Sequence, residues 1–142
     1  MLHVTVVRPP RDTLQFRTHA QAHGCGPGRG VLIQGTWGGY GALLAARSAG
    51  NGMGGEYPLL TRGDTTTPRG AFVGVRFMLR SDDARGVTLD SGRVSITRTA
   101  RGIDALASGS GVDPADARRV VVVASFTAVP LGPDSTNCAV AP

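Results

Sequence analysis

Cysteine and histidine are the residues of this chain with the most chemistry to offer. The 142 residues contain two cysteines and three histidines. His23 and Cys25 are separated by one glycine, and a histidine beside a cysteine can form an activated pair in which imidazole takes the thiol proton. Cys138 closes the stretch Ser135-Thr136-Asn137-Cys138, soon after a run of β-branched residues. An ordinary thiol, with pKa about 8.5, is only a few per cent thiolate at neutral pH, so a working nucleophile needs a base at hand. No histidine follows His23 in the sequence. His23 or His19 is therefore the candidate base for Cys138, if folding brings them together. The plainer readings are a small apolar residue near the end of the chain, or a long-range disulfide with Cys25 in an oxidising compartment.

Other chemistries find less support. Neither cysteine belongs to a C-x-x-C pair, which argues against a zinc knuckle or a thioredoxin-type motif. Asp64 has no second carboxylate or histidine at ligand spacing and reads as a turn-forming aspartate, so no metal and no cofactor is expected. The glycine-rich segment Gly24 to Gly30 fits neither a phosphate-binding loop nor a dinucleotide fingerprint, and reads as a plain loop. The net charge of +5 comes entirely from arginine, since lysine is missing from the sequence. Those arginines are scattered, with Arg118-Arg119 as the one adjacent pair, and aromatic residues are only 5%. A basic stripe with stacking platforms is not visible, so no nucleic-acid partner is expected. No apolar run approaches the roughly 18 to 20 residues of a membrane span. Met1 to Pro10 lacks the apolar core of a secretory leader.

Candidate functional residues need elements to position them. Gly and Pro together make 30 of the 142 residues, a composition of many turns and short strands. Leu2 to Val7 alternates as a first strand, stopped by Pro9-Pro10. Ala42 to Ser48 is ambiguous between helix and strand. Ala71 to Leu79 reads as a strand with Phe72, Val75, Phe77 and Leu79 as core candidates. Val87 to Leu89 and Arg93 to Thr99 resemble the arms of a hairpin, turned at Asp90-Ser91-Gly92. Asp113-Pro114-Ala115-Asp116 has the capping residue, first-turn proline and acidic first turn of a short helix. Val120 to Val129 is the clearest strand and is expected to be central. Trp37 and Tyr40, flanked by glycines, suit a packing plug or the lining of a cleft. The expected fold is mainly β, a single β-sandwich-like domain over residues 1 to 142 with one short helix.

Three segments, in this order, resemble the catalytic domain of the L,D-transpeptidases (YkuD type). Gly63-Asp64-Thr65-Thr66-Thr67-Pro68-Arg69-Gly70-Ala71-Phe72 is similar to that family's T-P-x-G-x-F/Y element, where proline fixes one backbone angle and glycine allows a tight approach beside a cleft. Asp116 to Val123 is similar to its buried strand, and Ser135 to Val140 to its S-x-G-C signature. Ala124-Ser125 stands where one branch has His-Gly, and Asn137 replaces the usual glycine. The resemblance implies cysteine acyl transfer on the peptidoglycan stem peptide, with Cys138 as nucleophile, Ser135 and His23 in the catalytic group, and Thr67, Pro68, Gly70, Arg118 and Asn137 near substrate. It also implies an extracytoplasmic location. The alternative is a non-catalytic β-sandwich module that kept the cleft and lost the base, binding a cell-wall peptide or a protein partner.

Overall fold

A computed structural model describes residues 1–25, 30–48 and 54–136. These form twelve strands: β1 (Leu2–Arg8), β2 (Asp12–Thr18), β3 (Gln21–Cys25), β4 (Gly30–Trp37), β5 (Tyr40–Arg47), β6 (Gly55–Tyr57), β7 (Gly70–Arg80), β8 (Asp83–Thr88), β9 (Ser91–Thr99), β10 (Gly102–Asp113), β11 (Arg118–Val129) and β12 (Leu131–Thr136). The first sheet runs β2-β1-β11-β10-β9-β6 and the second β12-β3-β4-β5-β7-β8. All neighbours are antiparallel except β12 and β3.

Period-two alternation makes the sandwich. Leu2, Val4 and Val6 of β1, with Val120, Val122, Ala124 and Phe126 of β11, turn one face of the first sheet inward. Val31 and Ile33, Leu44, and Val73, Val75 and Phe77 answer from the second. As the valine run suggests, β11 is an interior strand. It is not buried on both faces: Val121 and Val123 are 42% and 39% exposed. On β7 the inward residues are Ala71, Val73, Val75 and Phe77, so Phe72 belongs to the outer face rather than the core.

The sheets are joined by strands that leave one and enter the other, the device that makes corners in packed sheets. The Leu89 amide donates to the Val73 carbonyl of the second sheet at 3.0 Å, and the next amide, Asp90, donates to the Ser110 carbonyl of the first at 2.9 Å. Asp90-Ser91-Gly92 is therefore a corner, not the hairpin turn that its composition suggests. Strand β9 pairs instead with β10 and β6. A second corner follows β11. Opposite Asp104, the strand carries two residues, Thr127 and Ala128, in a bulge. Ala128 takes φ 51°, and its amide donates to Asp104 Oδ1 at 2.7 Å. This kink aims the chain toward Pro130, whose carbonyl accepts the Ala22 amide of the second sheet at 3.2 Å.

The described residues contain no helix, so the short helix expected at Asp113 is corrected to a hairpin turn. Its capping signal is physically real. Asp113 Oδ1 accepts the Ala115 amide at 2.9 Å, as a helix cap would, and the Ala117 amide reaches the Asp113 carbonyl at 2.8 Å. Ala117 then adopts φ 59°, and Arg118 is already paired across from Asp113. One turn of coil reverses the chain. Among the described residues no helix is long and apolar enough to cross a membrane.

Candidate functional site

Of the residues that the sequence offered for thiol chemistry, His23, Cys25 and Ser135 lie on the two strands at one edge of the second sheet. Cys138 and Asn137 lie outside the described residues. Ser135 is in β12, opposite Gly24, and Thr136 is opposite Cys25. Cys25 is disulfide-bonded, so the His23–Cys25 pair cannot work as an activated thiol. His23 is half-buried on β3, and a Cβ built on Gly132 would stand 3.1 Å from its Nδ1.

The Thr67 to Gly70 turn stands elsewhere. Ser135 lies opposite Gly24, Gly24 opposite Val31, Val31 opposite Ala46, and Ala46 opposite Ala71. Four strand spacings separate the two segments, roughly 19 Å at about 4.8 Å each. Arg118 is on the other sheet, where its Nε is 3.8 Å from Asp116 Oδ2. The structure thus does not bring Ser135, Thr67, Pro68, Gly70 and Arg118 around one cleft. Trp37 is 63% exposed and stacks on Tyr40, which packs on Phe16 with ring centroids 5.2 Å apart.

The turn is nonetheless as rigid as its proline and glycine suggest. Asp64 Oδ1 accepts the Thr66 and Thr67 amides, both at 2.9 Å, while its Oδ2 accepts the Thr67 hydroxyl. Arg47 spans the turn, with Nη2 3.1 Å from Asp64 Oδ1 and Nε donating to the Thr67 carbonyl at 2.6 Å. Gly70 is packed so closely that a Cβ there would sit 2.4 Å from Leu60 Cδ2. The Thr67 amide, then its hydroxyl, hold the Asp64 carboxyl well below the usual carboxylate range. Asp83, Asp90 and Asp116 are lowered too, chiefly by Arg85, by Arg119 and by the Arg118 amide respectively. A carboxyl depressed on folding contributes stability above its unfolded pKa of about 3.9 and loses it as pH falls through the folded value. The thermal midpoint is expected to fall progressively below about pH 4. Asp64→Asn should lower the midpoint at pH 7 and make the acid limb shallower. A midpoint unchanged between pH 6 and pH 2.5, measured by circular dichroism, would contradict this assignment.

A groove opens on the outer face of the second sheet. Its floor is set by register: Leu43 of β5 lies opposite Gly74 of β7, and Gly74 opposite Thr88 of β8. In the next row Gly41 lies opposite Arg76, and Arg76 opposite Gly86. Where neighbouring strands carry glycine, side chains are missing from the face and a trough of about 710 Å³ results. Phe72 and Leu43 supply apolar floor, Gln34 and Thr36 one rim, and Arg62, Val112 and Pro114 complete the lining. A smaller hollow of about 260 Å³ adjoins it, floored by Leu59, Leu60 and Leu89, and shares Arg62, Thr88 and Val112 with the groove.

Of these groove residues only Phe72 belonged to a segment that the sequence marks as site material. The available signal was Gly74 itself, a glycine inside an otherwise well-alternating strand, which often marks a close approach by another molecule. No family model matches this chain, and no curated protein or solved structure matches it either.

Proposed function

We propose that this protein is a non-catalytic β-sandwich module that binds an extended peptide in the groove of the second sheet. The observation that carries the reading is the pair Gly74 and Gly86. Neither has the positive φ that would demand glycine. A Cβ on Gly74 would meet Phe72 Cε1 at 3.6 Å, and one on Gly86 the Val75 carbonyl oxygen at 3.8 Å, both ordinary contacts. Glycine inside a strand costs about 0.5–1 kcal/mol relative to alanine. Here the backbone neither needs it nor excludes a side chain, whereas an open trough does need it. Polar rims beside an apolar floor suit a peptide, whose main chain and side chains use both.

The thiol-enzyme reading finds less to stand on. It requires a free thiolate with a base, and Cys25 is already disulfide-bonded. We propose that Cys138, the one other cysteine in the sequence, is its partner. The parallel pairing of Thr136 with Cys25 supports this, since it carries the chain toward Cys25 two residues before Cys138. A disulfide also supports an extracytoplasmic location. The peptidoglycan stem peptide is the ligand that the sequence resemblance suggests, and it is the first to test.

Gly74→Val separates binding from folding. Valine favours a strand and its Cβ makes only an ordinary contact with Phe72, so thermal stability should hold or rise, by up to about 1 kcal/mol. Calorimetric titration with a synthetic stem peptide should show binding to the parent and at least a tenfold loss in the variant. Equal affinity for parent and variant would move the site off this groove, and turnover of the peptide by the parent would restore the enzyme reading.

A further inference from the structure

We infer that the groove and the adjoining hollow form one site for an acidic peptide, in which carboxylates between apolar side chains are recognised by Arg62 and Arg76. The inference rests on the peptide-binding reading and adds the chemistry of the occupant.

Charge complementarity carries it. Arg62 and Arg76 line the groove, and no carboxylate does. Among the other described arginines, Arg8, Arg47, Arg80, Arg85, Arg118 and Arg119 stand in ion pairs with aspartate, whereas Arg11, Arg17, Arg69, Arg93, Arg98 and Arg101 do not and lie outside the groove lining, so it is the placement of Arg62 and Arg76 that counts. Among the described residues Arg62 and Arg76 make no ion pair and no hydrogen bond through their side chains. Two unmatched guanidinium groups over an apolar floor call for an occupant with negative charge, and the planar fork of arginine suits a carboxylate in particular.

Geometry adds direction. Arg62 precedes Gly63 at the corner of a turn closed by the Asp64 amide on the Thr61 carbonyl at 2.9 Å, with Gly63 at φ 87°. That is the second-position glycine of a type II turn, and it leaves the preceding residue at the apex. The Asp64 brace holds the turn from behind, so Arg62 projects from a fixed wall rather than a loose loop. It also lines both depressions, which makes it the natural meeting point for a chain running from one to the other. The single carboxylate in the hollow, Asp90, is paired with Arg119 at 2.7 Å and does not cancel Arg62. Crossing from β4 to β8 covers three strand spacings, so about six extended residues suffice for the groove and the hollow together.

The test uses the full chain and four probes. One is a blocked hexapeptide in which two glutamates alternate with leucine and valine; its glutamine and lysine twins and decanoate are the others. The glutamate peptide should bind at least tenfold more tightly than the glutamine twin, and the lysine twin should bind weakest. Arg62→Gln and Arg76→Gln, each with the parent's thermal midpoint, should shrink the ratio of glutamate-peptide to glutamine-twin affinity several-fold. Equal binding of the two twins, with both lost in Gly74→Val, would overturn charge recognition and leave the peptide groove standing. Displacement of the glutamate peptide by equimolar decanoate would overturn it in favour of a lipid. Binding of none of the peptides would overturn the acidic-peptide reading, and the stem-peptide titration then decides the groove itself.

Discussion

Asp113→Ala should lower the unfolding free energy by about 3–5 kcal/mol, as expected when one member of a buried ion pair is removed. Asp113 is fully buried, which is rare for an aspartate and tolerable only with partners for its charge. Its Oδ2 accepts Arg85 Nη1 at 3.0 Å, and its Oδ1 caps the β10–β11 turn through the Ala115 amide. Arg85 comes from β8 of the other sheet and also holds Asp83 at 2.8 Å and Asp116 at 3.1 Å. Arg8, nearly buried at the end of β1, holds Asp116 at 3.1 Å and Asp12 at 3.0 Å. These ions stitch the two sheets together where hairpin turns from both meet, and each carboxylate in the chain depends on the next. Asp113→Asn keeps the shape and the amide's acceptor but not the charge, so a smaller loss of about 1.5–3 kcal/mol is expected. Urea denaturation should show lower midpoints with an unchanged slope. A loss under about 1 kcal/mol for the alanine variant would mean that water already shares this cluster.

The same turn shows why the sequence could be read only in part. Asp113 and Pro114 carry a genuine capping signal, and the side chain makes the hydrogen bond that the signal implies. What ends the coil is Ala117 at φ 59°, a conformation that alanine composition does not announce. Likewise, Asp90-Ser91-Gly92 has hairpin chemistry, yet Leu89 and Asp90 bond to different sheets, and local sequence has no access to that choice. Strands with strict alternation, β1, β7 and β11, were legible because burial on one face imposes the period. Strand β10, Gly102–Asp113, was not, since its interior reads Ala-Leu-Ala-Ser-Gly-Ser-Gly. Those small residues answer to close packing: a Cβ on Gly109 would stand 2.0 Å from the Ser91 carbonyl oxygen, and one on Gly111 equally near that of Thr88. The candidate site followed the same rule. Cysteine and histidine drew attention through their chemistry, whereas the groove is made by glycines, whose contribution is an absence of atoms visible only once the register of β5, β7 and β8 is known.

Reduction of the disulfide at Cys25 should cost about 2–5 kcal/mol and leave peptide binding intact. In the proposed pairing with Cys138 it would close a loop of more than a hundred residues, for which chain-entropy arguments give the upper part of that range. The native side of the balance points the same way. Strand β12 is an edge strand, its register against β3 is broken between Leu131 and Ser135, and Pro133 has no amide to donate. Local opening of such a strand should precede global unfolding, and the Ala22 amide, which bonds to Pro130, should exchange faster in reduced protein. The groove lies on β4, β5, β7 and β8, across the sheet from this edge, which is why affinity for the peptide should survive reduction. A thiol enzyme would behave in the opposite way, silent when oxidised and acylated by a carbapenem once its cysteine is freed. Unfolding curves with and without dithiothreitol, run beside mass spectrometry of carbapenem-treated protein, separate the two. An unchanged midpoint would remove the structural role of the bond, and a carbapenem adduct on Cys138 in folded, reduced protein would return the nucleophile to the centre of the mechanism.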